Sequence, residues 1–196
     1  MVGPSIDVVG RDDNIRSAAA ELFYRRGFAA VGVDEIGKAA GVTGPAIYRH
    51  FKGKDEILAS LFDEGMDEIL RVTGGSFDDP HEELAHLIRE HARCVLRDTH
   101  LASVWTREDR SLVEPYRRRY QRRAQRYFAR WSDCVARCYP DADQEDVATA
   151  VYAVLGLLNS IPSWPPAARK PDTLLESIVD LAVGGLHSLA SARAGT

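Results

Sequence analysis

An all-α fold of about nine helices is what this 196-residue sequence predicts. Apolar residues recur three and four positions apart in one segment after another, the repeat of a helix with one face turned inward. No segment alternates apolar and polar residues between turn signals, as a half-buried strand would. Glycines and prolines at 27, 41, 53, 74–80, 140 and 162–171 cut the periodic stretches into helix-sized pieces.

Residues 1–10 lack periodicity and are expected to form a flexible tail. Residues 11–26 make an amphipathic helix on Ile15, Ala18, Ala19, Leu22 and Phe23. Asp12 and Asp13 fall in its first turn, where the helix dipole favours anions, and Gly27 is its stop. Residues 34–51, DEIGKAAGVTGPAIYRHF, read as a short helix, a tight turn at Gly41 and a second short helix opened by Thr43. Ile36, Ala40, Val42 and Ile47 give the pair an inner face and leave Thr43, Ala46, Arg49 and His50 outward. Lys54 begins a longer helix, to residue 71, on Ile57, Leu58, Leu61, Phe62 and Ile69.

Residues 81–99 are helical on Leu84, Leu87, Ile88, His91 and Val95, and a short helix over 102–107 precedes an irregular 110–114. Pro115 fits the first turn of the next helix, where its missing N–H costs nothing. That helix runs to 139 and carries the stripe Tyr116, Tyr120, Ala124, Tyr127, Trp131, Val135 and Cys138. Arginines 117, 118, 119, 122, 123, 126 and 130 surround the stripe. Residues 143–161 and 172–190 are strongly apolar helices separated by the loop PSWPPAARKP.

Hydrophobic content of 45% and charged content of 28% are ordinary globular values, which excludes wholesale disorder. The net charge of -4 argues against a non-specific nucleic-acid coat protein. The balance is uneven, +2 over residues 11–55 and -5 over 56–196, as suits a DNA reader attached to an acidic body. No apolar run reaches the length of a membrane span and no leader pattern opens the chain, so a cytoplasmic location is expected. The three cysteines have no C-x-x-C spacing, and His86 and His91, five apart, share no helix face. Buried thiols and no metal site or cofactor are therefore expected.

Two helices at a steep angle across a Gly-containing turn form a helix-turn-helix, whose second helix can enter a DNA major groove. The N–H groups at the start of that helix, over Thr43, Gly44, Pro45 and Ala46, suit a phosphate or a base edge. Arg49 can bond guanine O6 and N7 together, although a phosphate contact serves it equally well.

Residues 15–58 carry a family resemblance. Ala20–Phe23, Gly27-Phe28, Ile36, Ala39-Ala40-Gly41-Val42, Ile47-Tyr48, His50-Phe51 and Lys54 resemble the DNA-binding domain of TetR-family transcriptional regulators. The resemblance implies a homodimer reading a palindromic operator, with a small-molecule effector bound in the C-terminal domain. It makes Tyr48 an aromatic phosphate contact, Lys54 a phosphate-binding lysine and His50 a backbone contact. Two departures stand out. Val31-Gly32 replaces the usual Thr-Thr, removing a hydroxyl cap. Gly37 replaces the usual alanine, costing about 1 kcal/mol of helix propensity.

The implied division is a DNA-binding domain over 11–55 and an effector-binding and dimerisation domain over 56–196. Candidate pocket residues are His91, Trp105, Tyr120, Tyr127 and Trp131; the aromatic stripe also reads as plain core, and His91 as a hydrogen-bonded core residue. The arginine row reads either as a solvated face or as a site for an anionic ligand such as an acyl-coenzyme A. The segment from Trp105 through Glu108 to Leu112 resembles one in actinobacterial TetR-type repressors of lipid and steroid catabolism, and Glu108 is also placed to pair with an arginine of the next helix.

Candidate dimer contacts on the last two helices are Val151, Leu155, Leu158, Ile178, Leu181 and Leu186, with Gly156, Gly184 and Gly185 allowing close approach. No nucleophile–base grouping, phosphate loop or paired-acid motif stands out, so no catalytic residue and no enzyme activity are expected. The expected function is a ligand-responsive repressor released by a small hydrophobic or acyl-CoA-like effector. An activator of the same fold, or a ligand-binding dimer with weak DNA binding, remains the alternative.

Overall fold

In the computed structural model, which describes residues 6–169 and 171–191, nine α-helices and no strand occur among the described residues. They are α1 (Ile6–Arg26), α2 (Val33–Ala39), α3 (Gly44–Ile47), α4 (Lys54–Val72), α5 (Pro80–Arg97), α6 (Thr99–Glu108), α7 (Tyr116–Cys138), α8 (Gln144–Ser160) and α9 (Pro171–Ser191). Helix α1 starts at Ile6, earlier than the expected residue 11; residues 1–5 of the expected tail lie outside the described residues. Pro115 sits just ahead of α7 rather than in its first turn, and the proline-rich loop contains two short 3-10 turns, Ile161–Ser163 and Pro166–Ala168.

The chain packs as two compact units. One comprises residues 1–66 with 100–121, and the other 67–99 with 122–196. The first therefore adds residues 56–66 and 100–121 to the segment 11–55. Its core is built from the apolar stripe of α1 (Ile15, Ala19, Phe23), the inner residues Ile36, Ile47 and Phe51, and Ile57, Leu58 and Phe62 of α4. Val104 and Leu112 from the later segment complete it. Trp105 donates its indole N–H to the Leu61 carbonyl at 3.1 Å, and its ring lies where a side chain on Gly65 would be.

In the second unit α5 packs on α8 and α9. Leu84, Leu87, Ile88, Trp131, Val151, Leu158, Ile178 and Leu186 are all buried. Helix starts are fixed by side chains. The Asp79 carboxylate accepts the His81 N–H at 2.8 Å beside Pro80, and Asp143 accepts the Asp146 N–H at 2.8 Å. Glu83 is buried within α5 and receives guanidinium bonds from both Arg130, at 3.3 Å, and Arg137.

Candidate nucleic-acid interface and ligand cluster

The reading head is shaped by glycines. Gly41 lies at φ +70°, the left-handed conformation that closes the turn, and the Val42 N–H reaches back to the Gly37 carbonyl at 2.9 Å. A Cβ on Gly37 would stand 3.0 Å from the Val42 carbonyl oxygen and 3.2 Å from the Gly44 nitrogen. The propensity cost assigned to Gly37 is thus offset by close approach: its missing side chain lets the turn and the start of α3 sit directly on α2.

Helix α3 is shorter than expected. It spans only Gly44–Ile47, and the chain continues to residue 51 through turns closed by Arg49 N–H to Ala46 O at 3.2 Å and His50 N–H to Ile47 O at 2.8 Å. Ile47 and Phe51 are buried and anchor this segment, which leaves Thr43, Pro45, Tyr48 and Arg49 exposed, Tyr48 at 59%. The N–H argument for residues 43–46 narrows. Pro45 has no N–H and that of Ala46 is bonded to the Thr43 carbonyl at 2.9 Å, so Thr43 and Gly44 are the positions left to offer one.

Two expected phosphate-side residues are tied into the fold instead of displayed. The Lys54 ammonium bonds the carbonyls of Phe28 (3.1 Å), Val31 (3.2 Å) and Ala29 (3.4 Å) and lies 4.4 Å over the Phe28 ring. Its three N–H donors thus all have protein partners. His50 Nδ1 is 2.6 Å from the Asp12 carboxylate of α1, with its side chain 14% exposed.

Where Val31-Gly32 lacks a hydroxyl, the cap comes from further along α2. The Glu35 carboxylate accepts the Gly32 N–H at 3.0 Å and the Arg26 guanidinium at 2.5 Å. That backbone N–H first, and Arg26 second, hold the Glu35 carboxyl below the usual range. Glu108 does not pair with an arginine of α7. It accepts the Phe28 N–H at 3.0 Å and the Ser111 hydroxyl at 2.8 Å, so the peptide groups of Phe28 are held by Glu108 on the N–H side and by Lys54 on the carbonyl side.

The five candidate pocket residues divide. Trp105 and Tyr120 belong to the first unit, where Tyr120 packs edge-on against Phe62 at 4.9 Å. His91, Tyr127 and Trp131 come together in the second, with ring centroids 5.9–6.1 Å apart. His91 Nδ1 is 3.1 Å from the Tyr127 hydroxyl and Nε2 is 3.1 Å from Asn159 Oδ1. Burial lowers the His91 pKa to about 4, with the Asn159 bond opposing, and pushes the Tyr127 hydroxyl up. The neutral imidazole therefore carries its proton on Nε2, donates it to Asn159 and accepts the Tyr127 O–H on Nδ1. The Trp131 indole N–H lies close enough to favour ionised Tyr127 slightly, yet not in bonding geometry. It is fully buried and has no hydrogen-bond partner in good geometry among the described residues. Asn159 was not foreseen, because one asparagine at the end of an apolar helix has no distinguishing spacing.

Of the six candidate dimer contacts, Val151, Leu158, Ile178 and Leu186 are buried inside the chain and can only support an interface from beneath. Leu155 is half-buried and Leu181 is 63% exposed. The outward residues of α8 and α9 also include Tyr152, Gly156, Gly184 and Gly185, and a Cβ on any of these glycines would meet nothing within 4 Å. The arginine row of α7 is partly neutralised within the fold: Arg119 pairs with Asp63, Arg123 with Asp67, and Arg130 with Glu83. Arg122 and Arg126 are exposed.

An all-α chain with a helix-turn-helix displayed from a helical core, joined to a separate helical unit, defines a DNA-binding regulator with a second functional domain. Residues 15–61 match the profile of bacterial regulatory proteins of the tetR family, and residues 78–186 that of the tetracyclin repressor-like C-terminal domain. The chain belongs to the TetR family of transcriptional regulators. Over 183 residues it is 27% identical to the fatty acid metabolism regulator protein of Bacillus subtilis (strain 168), covering 89% of this chain and 94% of that one. The fatty acid degradation regulator FadR of Bacillus halodurans is similar at TM-score 0.69 and 26% identity, covering 95% and 98% of the two chains. AibR, in complex with isovaleryl coenzyme A and operator DNA, is similar at TM-score 0.73 and 24% identity over 89% and 97%, a likeness of fold. No helix among the described residues is long and apolar enough to cross a membrane.

Proposed function

We propose that this TetR-family chain is a homodimeric repressor that binds a palindromic operator and is released by a hydrophobic or acyl-coenzyme A effector. The observation that carries the DNA-binding part is the display of Thr43, Tyr48 and Arg49 from a segment anchored by buried Ile47 and Phe51. Arg49 reads a base or grips a phosphate, Tyr48 and Thr43 grip the backbone, and Gly44, Pro45 and Ala46 set the approach of the chain. Lys54 and His50 serve by holding the head in place. Exposed Tyr152, Leu181 and the open glycines of α8 and α9 form the self-association face. Half-sites on one DNA face lie about 34–36 Å apart per turn, so an effector that alters the separation of two heads releases one half-site.

The effector class rests on the near-full-length similarity to a fatty acid metabolism regulator. Activation is the second reading, favoured by 40% identity over 53 residues to the transcriptional activator FasR of Mycolicibacterium smegmatis. Fluorescence anisotropy with DNA from the protein's own upstream region tests the proposal. Saturable binding, lost on adding decanoyl-coenzyme A and weakened by about 1–3 kcal/mol per half-site in Arg49→Ala, is expected. Binding that ignores Arg49→Ala and Tyr48→Ala would favour a ligand-binding dimer with little DNA affinity. Transcription in vitro that rises on adding the protein would establish the activator.

A further inference from the structure

We infer that Asp34 is a base-reading residue whose carboxylate accepts the N4 amine of a cytosine in the major groove, and that Gly44 lets it reach that position. This rests on the operator-binding reading proposed above and adds a base contact that the reading does not assign.

Asp34 stands in the first turn of α2 and is exposed. A Cβ on Gly44 would overlap the Asp34 Oδ1 and come within 3.3 Å of its Cγ and 3.9 Å of its Cα. The carboxylate of one helix of the motif thus lies on the first residue of the other, in the space that a side chain at 44 would fill. The needs of α2 do not account for it. The cap of that helix is already made by Glu35, which accepts the Gly32 N–H at 3.0 Å and pairs with Arg26. No hydrogen bond or ion pair engages the Asp34 carboxylate among the described residues.

Place and charge together select the partner. The starting residues of the second helix in this motif are those that meet base edges. A carboxylate there is repelled by phosphates and can only accept hydrogen bonds. In the major groove two bases offer it a donor, cytosine at N4 and adenine at N6. Adenine sets its N7 acceptor beside N6, against the second carboxylate oxygen. Cytosine carries no acceptor of its own on that edge, so cytosine is the base that suits Asp34.

The test selects operators from a palindromic DNA library with randomised half-sites, using the full chain and its variants. Wild type should enrich a C·G pair at one position of each half-site. Replacing that cytosine by thymine in the selected duplex should weaken binding about tenfold per half-site in fluorescence anisotropy. Asp34→Ala should lose the preference at that position and keep the rest of the site. Asp34→Asn, whose amide both donates and accepts, should move the preference to adenine. Gly44→Ala pushes the end of the Asp34 side chain aside and should lose the same preference as Asp34→Ala. Asp34→Ala should also bind random-sequence DNA more tightly, because a negative charge has left the interface, whereas loss of a merely structural residue would weaken it. Identical base profiles for wild type and Asp34→Ala, or a loss spread over every position of the half-site, overturn the inference and leave operator binding standing. Enrichment of no sequence by the wild-type protein overturns both.

Discussion

Replacing Lys54 by methionine separates the phosphate-binding role that the family resemblance implies from the structural role that its hydrogen bonds show. In the structure its ammonium bonds three carbonyls of residues 28–31 at 3.1–3.4 Å and covers the Phe28 ring at 4.4 Å. Bonds from a charged donor are each worth about 1.5–3 kcal/mol, and a cation over an aromatic face adds about 0.5–1 kcal/mol. Lys54 is half-exposed and one bond is long, so the total is discounted to about 2–3 kcal/mol. Urea denaturation followed by circular dichroism should show that loss in Lys54→Met. The salt slope of operator binding should stay within about 0.5 of wild type, since no phosphate contact is removed. The opposite pattern refutes the reasoning: stability unchanged within about 0.5 kcal/mol and a slope shallower by about 0.9 per half-site, the signature of a lost phosphate ligand.

Three further perturbations follow from the packing. The His91 pKa is lowered to about 4 from 6.5, so below pH 6.5 the unfolded chain binds more protons than the native one. Stability should fall as pH drops from 6.5 to 4, by about 3 kcal/mol in all, and His91→Gln should flatten that part of the profile in denaturation measured across pH. Gly65→Ala drives a methyl into the Trp105 ring and strains its bond to Leu61. A loss of about 1–3 kcal/mol is expected despite alanine's better propensity, with altered tryptophan emission as the accompanying sign. Glu83→Gln leaves Arg130 and Arg137 without their carboxylate. Because Arg137 is half exposed, about 2 kcal/mol is expected, less than for a fully buried pair, read as a lower denaturation midpoint.

Periodicity and turn chemistry made the helices and the reading head legible before any coordinates. Ile36, Gly41 and Ile47 occupy the positions that a helix-turn-helix requires, and each is where that pattern places it. The length of α3 was not legible, since the turns over residues 48–51 keep the same apolar spacing as a helix while changing their bonds. The ties of Lys54 were not legible for a related reason: sequence gives its position at a helix start but not the carbonyls of Phe28, Ala29 and Val31 that its ammonium bonds. Pairings such as Arg137 with Glu83 join helices far apart in the chain, and no local rule reports them. The residues of α8 and α9 were legible as apolar but not as inner or outer, because both sides of each helix are hydrophobic. Val151 and Leu158 turned inward, while Tyr152 and Leu181 turned out.

The membership of residues 100–121 in the same compact unit as the reading head bears on how such a regulator can be recombined. Val104 and Leu112 are part of the core that holds Ile15, Phe23 and Ile57, and Glu108 holds the Phe28 N–H. A chimaera that grafts residues 1–66 onto a foreign sensor would inherit a head with its underside stripped. The portable module is a discontinuous one, and a graft that keeps its specificity has to carry α6 and the turn after it along with the helix-turn-helix.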